Sequence, residues 1–236
     1  MPRLLLLPLL LLAASFTRAQ SLVDDATRLQ EHVNASNTDY RHKDNAVTWT
    51  APWECYADCS GFVNALIGHV YHLDDAAFQQ TFGHRRMYAY HYFEAIRDGR
   101  HFQQIRNAGD IRPGDLIAVQ YADRSEHDDN TGHVMLVVST PERFHPVKVI
   151  EPNTRQYLVT VIDCSRSPHG KDDTRAGGGP SGQGGGAGDY PGLGRGPLRL
   201  YTDLQGAVVG YSWSPGNPKE GFDPFENPIV IGRLTL

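Results

Sequence analysis

The sequence has few of the residues that mark several common protein classes. It contains only three cysteines in 236 residues, too few for the dense disulfide scaffold of a small secreted domain. Lysine and arginine number 22 against 27 aspartates and glutamates, which argues against nucleic acid or an anionic membrane as the main partner. No long apolar run follows residue 19, so we expect no membrane-spanning helix in the mature chain. No repeat of fixed period is present, which excludes solenoids and coiled coils.

What the sequence does contain is typical of one medium-sized exported domain. Hydrophobic residues make up 40% and charged residues 21%, enough to form a packed core. Residues 1–19 are predicted to be a signal peptide: Arg3 supplies a positive charge, residues 4–12 are almost all leucine, and small residues lead to cleavage after Ala19. Residues 20–236 then form a single domain, which we expect to be a monomer.

Export has a consequence for the three cysteines. A periplasmic or extracellular location is oxidising, so Cys55, Cys59 and Cys164 can meet conditions in which disulfides persist. The sequence leaves open whether Cys55 is bridged to Cys164.

The order of predicted elements, helices first and then a meander of strands, indicates an α+β fold. Apolar residues at helical spacing predict helices over residues 21–35, 59–70 and 75–96. Runs of β-branched and apolar residues predict strands at 116–121, 134–138, 157–162, 198–201, 208–213 and 229–236, the pair at 198–213 forming a hairpin.

A glycine-rich segment interrupts this meander. Residues 176–196 hold 11 of the 24 glycines in the chain. Such a composition has few side chains to bury, and it predicts a flexible insertion within the domain.

The sharpest local pattern is Asp-Cys-Ser-Gly-Phe-Val at residues 58–63. Asp58 stands where a helix N-cap is expected, and Cys59 then lies in the first turn. The positive end of the helix dipole favours the thiolate form of a cysteine there. The apolar residues that follow would fix the sulfur in place, as a nucleophile requires. The alternative is a structural cysteine or half of a disulfide with Cys55.

A thiolate nucleophile needs a base and a residue that orients the base. His133 is the best candidate base because it opens an apolar strand after a polar loop. If residues 140–155 form a long loop, the strands on either side pair antiparallel and Asp163 lies beside His133. If residues 147–150 form the partner strand, Glu151 takes that place. Three prolines in the intervening segment favour Asp163, and both candidates stay open.

Further polar residues are candidates for lining the site. Asp58 and Ser60 flank the cysteine, and His169 follows the strand of Asp163, accompanied by Asp172 and Arg175. A plain loop is the alternative for this last group. No set of ligands at zinc spacing is present, so we expect neither a metal nor another cofactor.

Three blocks of the sequence together resemble the NlpC family of papain-like cysteine peptidases: residues 58–63, Arg-Pro-Gly-Asp-Leu-Ile at 112–117, and Gly-His-Val at 132–134. They occur in the family's order and at about its spacing. The resemblance implies a papain-like core with Cys59 as nucleophile, His133 as base and Asp163 as the third residue. It also implies a hydrolase of the cell wall that cuts peptidoglycan stem peptides, often at bonds involving D-amino acids.

The chain departs from the pattern of this family. A Tyr-x-x-Gly motif usually precedes the cysteine by about ten residues, whereas residues 47–50 read Val-Thr-Trp-Thr. The short hairpin that follows the histidine in the family is replaced by a long one, and residues 164–197 form an additional segment. The missing motif and the glycine-rich insertion keep open a catalytically silent module that binds wall fragments or a protein partner. A thiol acyltransferase on the same core also stays open, because the same three residues serve both reactions.

Overall fold

A computed structural model describes residues 6–121, 131–145, 151–177, 188–216 and 227–236 of the chain. The helices within these residues are α1 (Leu6–His32), α2 (Cys59–Tyr71), α3 (Asp75–Phe82) and α4 (Ala89–Arg97). Two sheets accompany them, so the predicted α+β class is confirmed.

The larger sheet is antiparallel throughout its described strands. The strands are β4 (Phe102–Ile105), β5 (Leu116–Gln120), β6 (Gly132–Val137), β7 (Glu142–Phe144), β8 (Arg155–Ser165), β9 (Gly192–Thr202), β10 (Val208–Ser212) and β11 (Ile229–Leu234). Their order in the sheet is β10-β9-β8-β6-β5-β11-β4, and β7 pairs with β8 beside this series. The predicted hairpin of residues 198–213 is confirmed by the pairing of β9 with β10.

A smaller sheet comes directly before the helix of Cys59. It consists of β1 (Thr38–Tyr40), β2 (Ala46–Thr48) and β3 (Glu54–Ala57), with β3 in the centre. The pairing of β1 with β3 is parallel, while β2 runs antiparallel to β3. Because β3 ends two residues before α2 begins, this sheet fixes the direction in which the chain enters the helix.

Helix α2 begins where the sequence predicts. The carboxylate of Asp58 accepts a hydrogen bond from the backbone N–H of Gly61 at 2.6 Å, which confirms Asp58 as the N-cap. Phe62, Leu66 and Ile67 are completely buried and hold the helix against the sheet. The start of α2 is therefore fixed both by its cap and by its apolar face.

The single helix predicted over residues 75–96 is wrong. The chain forms α3 and α4 instead, separated by residues 83–88. Gly83 adopts a left-handed conformation with φ of 79° and ends α3. Glycine takes up this conformation without the steric cost that other residues meet, so it ends the helix despite the aromatic residues that follow at helical spacing.

Helix α1 joins two segments that the sequence analysis treats separately. It runs from the predicted signal peptide into the predicted helix of residues 21–35, and it ends at His32. Leu22, Ala26 and Leu29 are buried on one face. No helix in the described part of the chain is both long enough and apolar enough to cross a membrane.

The large sheet curves until its two outermost strands meet. Val208, at the start of β10, donates its backbone N–H to the carbonyl of Arg106, just after β4, at 2.8 Å. Ala108 donates in the same way to Gly206 at 3.0 Å. One face of the sheet is thereby enclosed and filled by apolar side chains: Ile105, Ala108, Ile111, Ile117, Val119, Met135, Val137, Val159, Val161, Leu198, Leu200 and Ile231.

The opposite face of the sheet packs against the helices. Because successive strand residues point to opposite faces, Val134 and Leu136 belong to this second core whereas Met135 and Val137 fill the enclosed one. By the same alternation His133, at the start of β6, lies on the face of Met135 and Val137, and Cys59 at the N-terminus of α2 interacts with it there.

The glycine-rich insertion predicted at residues 176–196 is partly wrong. Residues 192–196 form the first half of β9, where Gly192 and Leu193 are buried and paired along β8. Residues 178–187 lie outside the described part of the chain. Residues 147–150, the alternative partner strand that would place Glu151 beside His133, also lie outside it. The glycines of β9 have a packing role, described with the site below.

Gly132 provides a stability prediction. Its φ is +150°, and a Cβ there would lie 2.0 Å from the carbonyl oxygen of Val119. We expect Gly132→Ala to lower the free energy of unfolding by about 2–4 kcal/mol, since both the backbone and the neighbouring strand must shift. Gly109→Ala is the matched control because a Cβ there meets nothing within 4 Å. Urea denaturation compares them, and equal stability of the two variants would contradict the prediction.

Candidate active site

The structure brings together Cys59, His133 and Asp163. Cys59 is the first residue of α2, and His133 and Asp163 lie on the neighbouring strands β6 and β8. Cys59 lies beside His133, where its charge raises the pKa of the imidazole, and Nε2 of His133 lies 2.5 Å from Oδ2 of Asp163. All three side chains are buried. The geometry is therefore that of a linear cysteine–histidine–aspartate triad.

The strand register explains why Asp163 rather than Glu151 meets the histidine. β6 pairs directly with β8, with Leu136 opposite Ile162. Continued by one residue, this register sets Asp163 opposite Met135. The predicted register, with Asp163 directly opposite His133, is therefore wrong by two residues. His133 is two residues further along the same face, within reach of an imidazole. Glu151 lies in the turn before β8, where its carbonyl accepts a hydrogen bond from Thr154.

The position of His133 sets its charge. Nε2 faces Asp163, so Nδ1 is the ring nitrogen left for the sulfur of Cys59. Burial lowers the pKa of His133, but the negative charge of Cys59 and the hydrogen bonds to Asp163 and Cys59 outweigh burial and raise that pKa to about 10. At neutral pH His133 is then an imidazolium beside the sulfur of Cys59.

Asp163 contacts His169 and Arg175 in addition to His133. Oδ2 also lies 3.1 Å from Nε2 of His169, and Oδ1 accepts from Nη2 of Arg175 at 2.9 Å. Burial alone would raise the pKa of Asp163, but the charges of Arg175 and His169 and the hydrogen bonds from both histidines hold it well below its usual range. Asp163 therefore stays ionised although it is fully buried.

Arg175 is itself held by a second carboxylate. Its Nε and Nη2 donate to the two oxygens of Asp173 at 3.0 and 2.7 Å, and Nη1 donates to the hydroxyl of Ser165 at 2.6 Å. Asp173 and Arg175 are completely buried. We refer to Asp163, His169, Asp173 and Arg175 as the carboxylate network.

His169 is held between two acceptors. Its Nδ1 lies 2.8 Å from the carbonyl oxygen of Trp213, and its Nε2 lies 3.1 Å from the carboxylate of Asp163. The buried carboxylates of Asp163 and Asp173 each have the guanidinium of Arg175 as a positive neighbour.

Two glycines of β9 make room for the carboxylate network. A Cβ at Gly194 would lie 2.2 Å from Nε of Arg175, and one at Gly196 would lie 2.4 Å from Oδ2 of Asp173. Residues 169–175 can lie flat on β9 only because these positions lack side chains. Part of the high glycine content thus serves close packing beside the site, which composition alone does not reveal.

Trp213 covers the two histidines. Its ring packs edge-on against His133 at a centroid distance of 5.0 Å and stacks on His169 at 4.0 Å. Its indole N–H donates to the carbonyl of Pro168 at 3.0 Å, which fixes the ring. Trp213 follows β10, far from His133 in sequence. The contact depends on the fold, so sequence reasoning missed it.

Tyr40 and Tyr121 lie near Cys59, as does Tyr92 on α4. Burial, followed by the negative charge of Cys59, raises the pKa of Tyr40 and raises that of Tyr121 to about 12. Tyr40 is on β1, where the parallel pairing sets it level with Ala57. Sequence reasoning searched for a tyrosine at residues 47–50 and missed Tyr40, because the parallel pairing that carries it to the site leaves no local motif.

The remaining predicted lining residues are engaged at the start of α2. Ser60 donates its hydroxyl to Asp58 at 3.0 Å. The other oxygen of Asp58 pairs with Nη2 of Arg86 and lies 3.3 Å from Nδ1 of His42. Arg86 thus compensates the negative charge of Asp58 next to Cys59. Of the predicted group after β8, His169 and Arg175 contact Asp163. Asp172 is exposed, and the neighbouring Asp173 pairs with Arg175 instead.

The described residues contain no group of three or more histidine, cysteine, aspartate or glutamate side chains arranged to hold a metal ion. The side chains that meet in the site are a thiol, an imidazole and a buried carboxylate.

Comparison with known proteins gives one relative of broad coverage. An uncharacterized protein of Acanthamoeba polyphaga mimivirus is 33% identical to the chain over 209 residues, which cover 84% of this chain and 88% of the viral protein. No protein-family model matches the chain, and no solved structure matches it. The chain therefore belongs to the same family as this mimivirus protein.

Proposed function

We propose that the protein is a cysteine hydrolase that cleaves amide bonds through Cys59, His133 and Asp163. The observation that carries the proposal is the buried chain of contacts from thiol to imidazole to carboxylate, with the pKa of His133 raised to about 10. Nucleophilic catalysis needs this combination of an activated sulfur, a proton donor and a group that orients it. The resemblance to the NlpC family supports the proposal independently, because its motifs contain Cys59 and His133.

The proposed reaction is an acyl transfer in two steps. The thiolate of Cys59 attacks the carbonyl carbon of the amide, and the backbone N–H groups at the start of α2 stabilise the oxyanion. His133 gives its Nδ1 proton to the leaving amine, and a thioester to Cys59 remains. Water then attacks the thioester, His133 takes up a proton from it, and the acid and the thiolate are released. Asp163 holds the imidazole orientation throughout.

The proposed substrate is the peptide stem of peptidoglycan, and the proposed location is the periplasm or the cell exterior. The substrate follows from the resemblance of residues 58–63, 112–117 and 132–134 to the NlpC family, and the location from the signal-like residues 1–19. An acyltransferase would use the same three residues, with an amine or alcohol in place of water.

The experiment is an incubation of the purified protein with bacterial peptidoglycan and with synthetic stem peptides that contain D-amino acids. We expect mass spectrometry to show fragments whose combined mass exceeds the substrate by one water. Products joined to an added amine would instead show acyl transfer. Binding of the stem peptides without turnover, at every pH between 5 and 9, would contradict the proposed hydrolysis and favour a binding module.

A further inference from the structure

Two cysteines that the proposed reaction does not use lie against each other. Cys55 and Cys164 are both completely buried, and both are free thiols in the described structure. Burial and the neighbouring thiol of Cys55 raise the pKa of Cys164, whereas Cys59 lies beside His133. The three cysteines thus divide into one pair and one nucleophile.

The backbone around this pair is held by a separate set of contacts. The hydroxyl of Thr38 donates to the carbonyl of Cys55 at 2.7 Å and accepts the backbone N–H of Leu193 at 2.8 Å. Leu193 in turn pairs with Cys164 across β8 and β9. Thr38 therefore joins the strand of Cys55 to the strand next to Cys164. The sulfur atoms are kept close by the fold and do not depend on a flexible loop to meet.

We propose that Cys55 and Cys164 form a disulfide in an oxidising compartment while Cys59 remains a thiol. The oxidant is a small-molecule disulfide such as oxidised glutathione. One thiolate attacks it and releases one glutathione thiolate, and the second cysteine then displaces the other glutathione as the Cys55–Cys164 bond forms. The protein loses two protons and two electrons, and the oxidant is reduced to two thiols. This site goes beyond the proposed hydrolysis and does not require it.

The alternation of side chains along β8 separates this bond from the catalytic carboxylate. Successive strand residues point to opposite faces, so Cys164 belongs to the core beneath the helices while Asp163 faces the carboxylate network. The disulfide would tie the segment before Cys59 to the strand that carries Asp163. Because it closes a loop of about one hundred residues, we expect it to raise Tm by about 10 °C.

The test is a thiol count on the purified full-length protein after oxidation with oxidised glutathione. The protein is denatured, alkylated, digested without reductant and analysed by mass spectrometry. We expect one alkylated cysteine, Cys59, and a linked pair of peptides that contain Cys55 and Cys164. Oxidation should also raise Tm relative to the reduced protein.

Variants separate this disulfide from other pairings. Cys59→Ala should keep the linked peptides and the rise in Tm but leave no alkylated cysteine. Cys55→Ser and Cys164→Ser should each lose the rise in Tm and leave no intramolecular link. Three alkylated cysteines in the oxidised native protein, or a link that includes Cys59, would overturn the proposal. The count is independent of catalysis, so an inactive protein with the expected disulfide would contradict only the proposed hydrolysis.

Discussion

Replacing Cys59 by alanine is expected to reduce hydrolysis of a cleaved stem peptide by at least about 10⁴-fold, because no other group in the site can form the thioester. Cys59→Ser should be nearly as inactive, since a serine hydroxyl is far less acidic than a thiol and is a weak nucleophile without strong activation by a base. His133→Ala should lose about 10²–10⁴-fold, the usual contribution of a positioned acid and base. Initial rates of stem-peptide hydrolysis at a fixed substrate concentration measure the activity of all three variants.

The matched control for these variants is Cys55→Ala. This cysteine is buried four residues before Cys59 but contacts Cys164 and not His133. It should retain activity at temperatures where the variant is folded. If Cys59→Ala were as active as the wild type, the nucleophile would lie elsewhere and the proposed mechanism would be wrong.

Arg175→Gln is expected to destabilise the protein by about 3–5 kcal/mol. Arg175 donates to Asp163 and to Asp173, and all three side chains are completely buried. Removing the guanidinium leaves two carboxylates in the interior without their main counter-charge, and an unpaired buried charge is strongly unfavourable. Urea denaturation followed by circular dichroism measures the change in the free energy of unfolding.

The control for this variant is Arg195→Gln, on the same strand that Arg175 packs against. The side chain of Arg195 is exposed, and its backbone N–H, which donates to Thr174, is unchanged by the substitution. We expect a change within about 0.5 kcal/mol. A similarly small change for Arg175→Gln would mean that the carboxylate network contributes little to stability and that Asp163 does not depend on it.

The parts of the site that sequence predicted are those with local causes. A cap, a cysteine and an apolar helix face lie within six residues of each other, so the start of α2 can be read directly from residues 58–63. His133 is identified by the strand that follows it. Asp163 required a choice between two strand layouts, and the prolines between β6 and β8 favoured the direct pairing of these strands that the structure shows. The predicted loop of residues 140–155 nevertheless contains β7, and the register differs by two residues.

The parts that sequence missed depend on contacts between distant segments. Tyr40 reaches Cys59 through a parallel strand pairing, and Trp213 reaches His133 through the curvature of the sheet. Arg175 reaches Asp163 because Gly194 and Gly196 allow the loop of Arg175 to lie on β9, and this packing cannot be predicted from local sequence. Composition assigned these glycines to a flexible insertion, since it does not distinguish a glycine that avoids a clash from one that loosens the chain.

The most direct test of the thiolate–imidazolium pair is the rate of Cys59 alkylation by iodoacetamide as a function of pH, followed by mass spectrometry. Because the pKa of His133 is raised to about 10, the imidazolium persists through the neutral range, and we expect the wild-type rate to change little between pH 6 and 9. In His133→Ala the rate should fall about tenfold for each unit below pH 8, as for a free cysteine. Identical profiles for the two proteins, both falling in this way, would contradict the account.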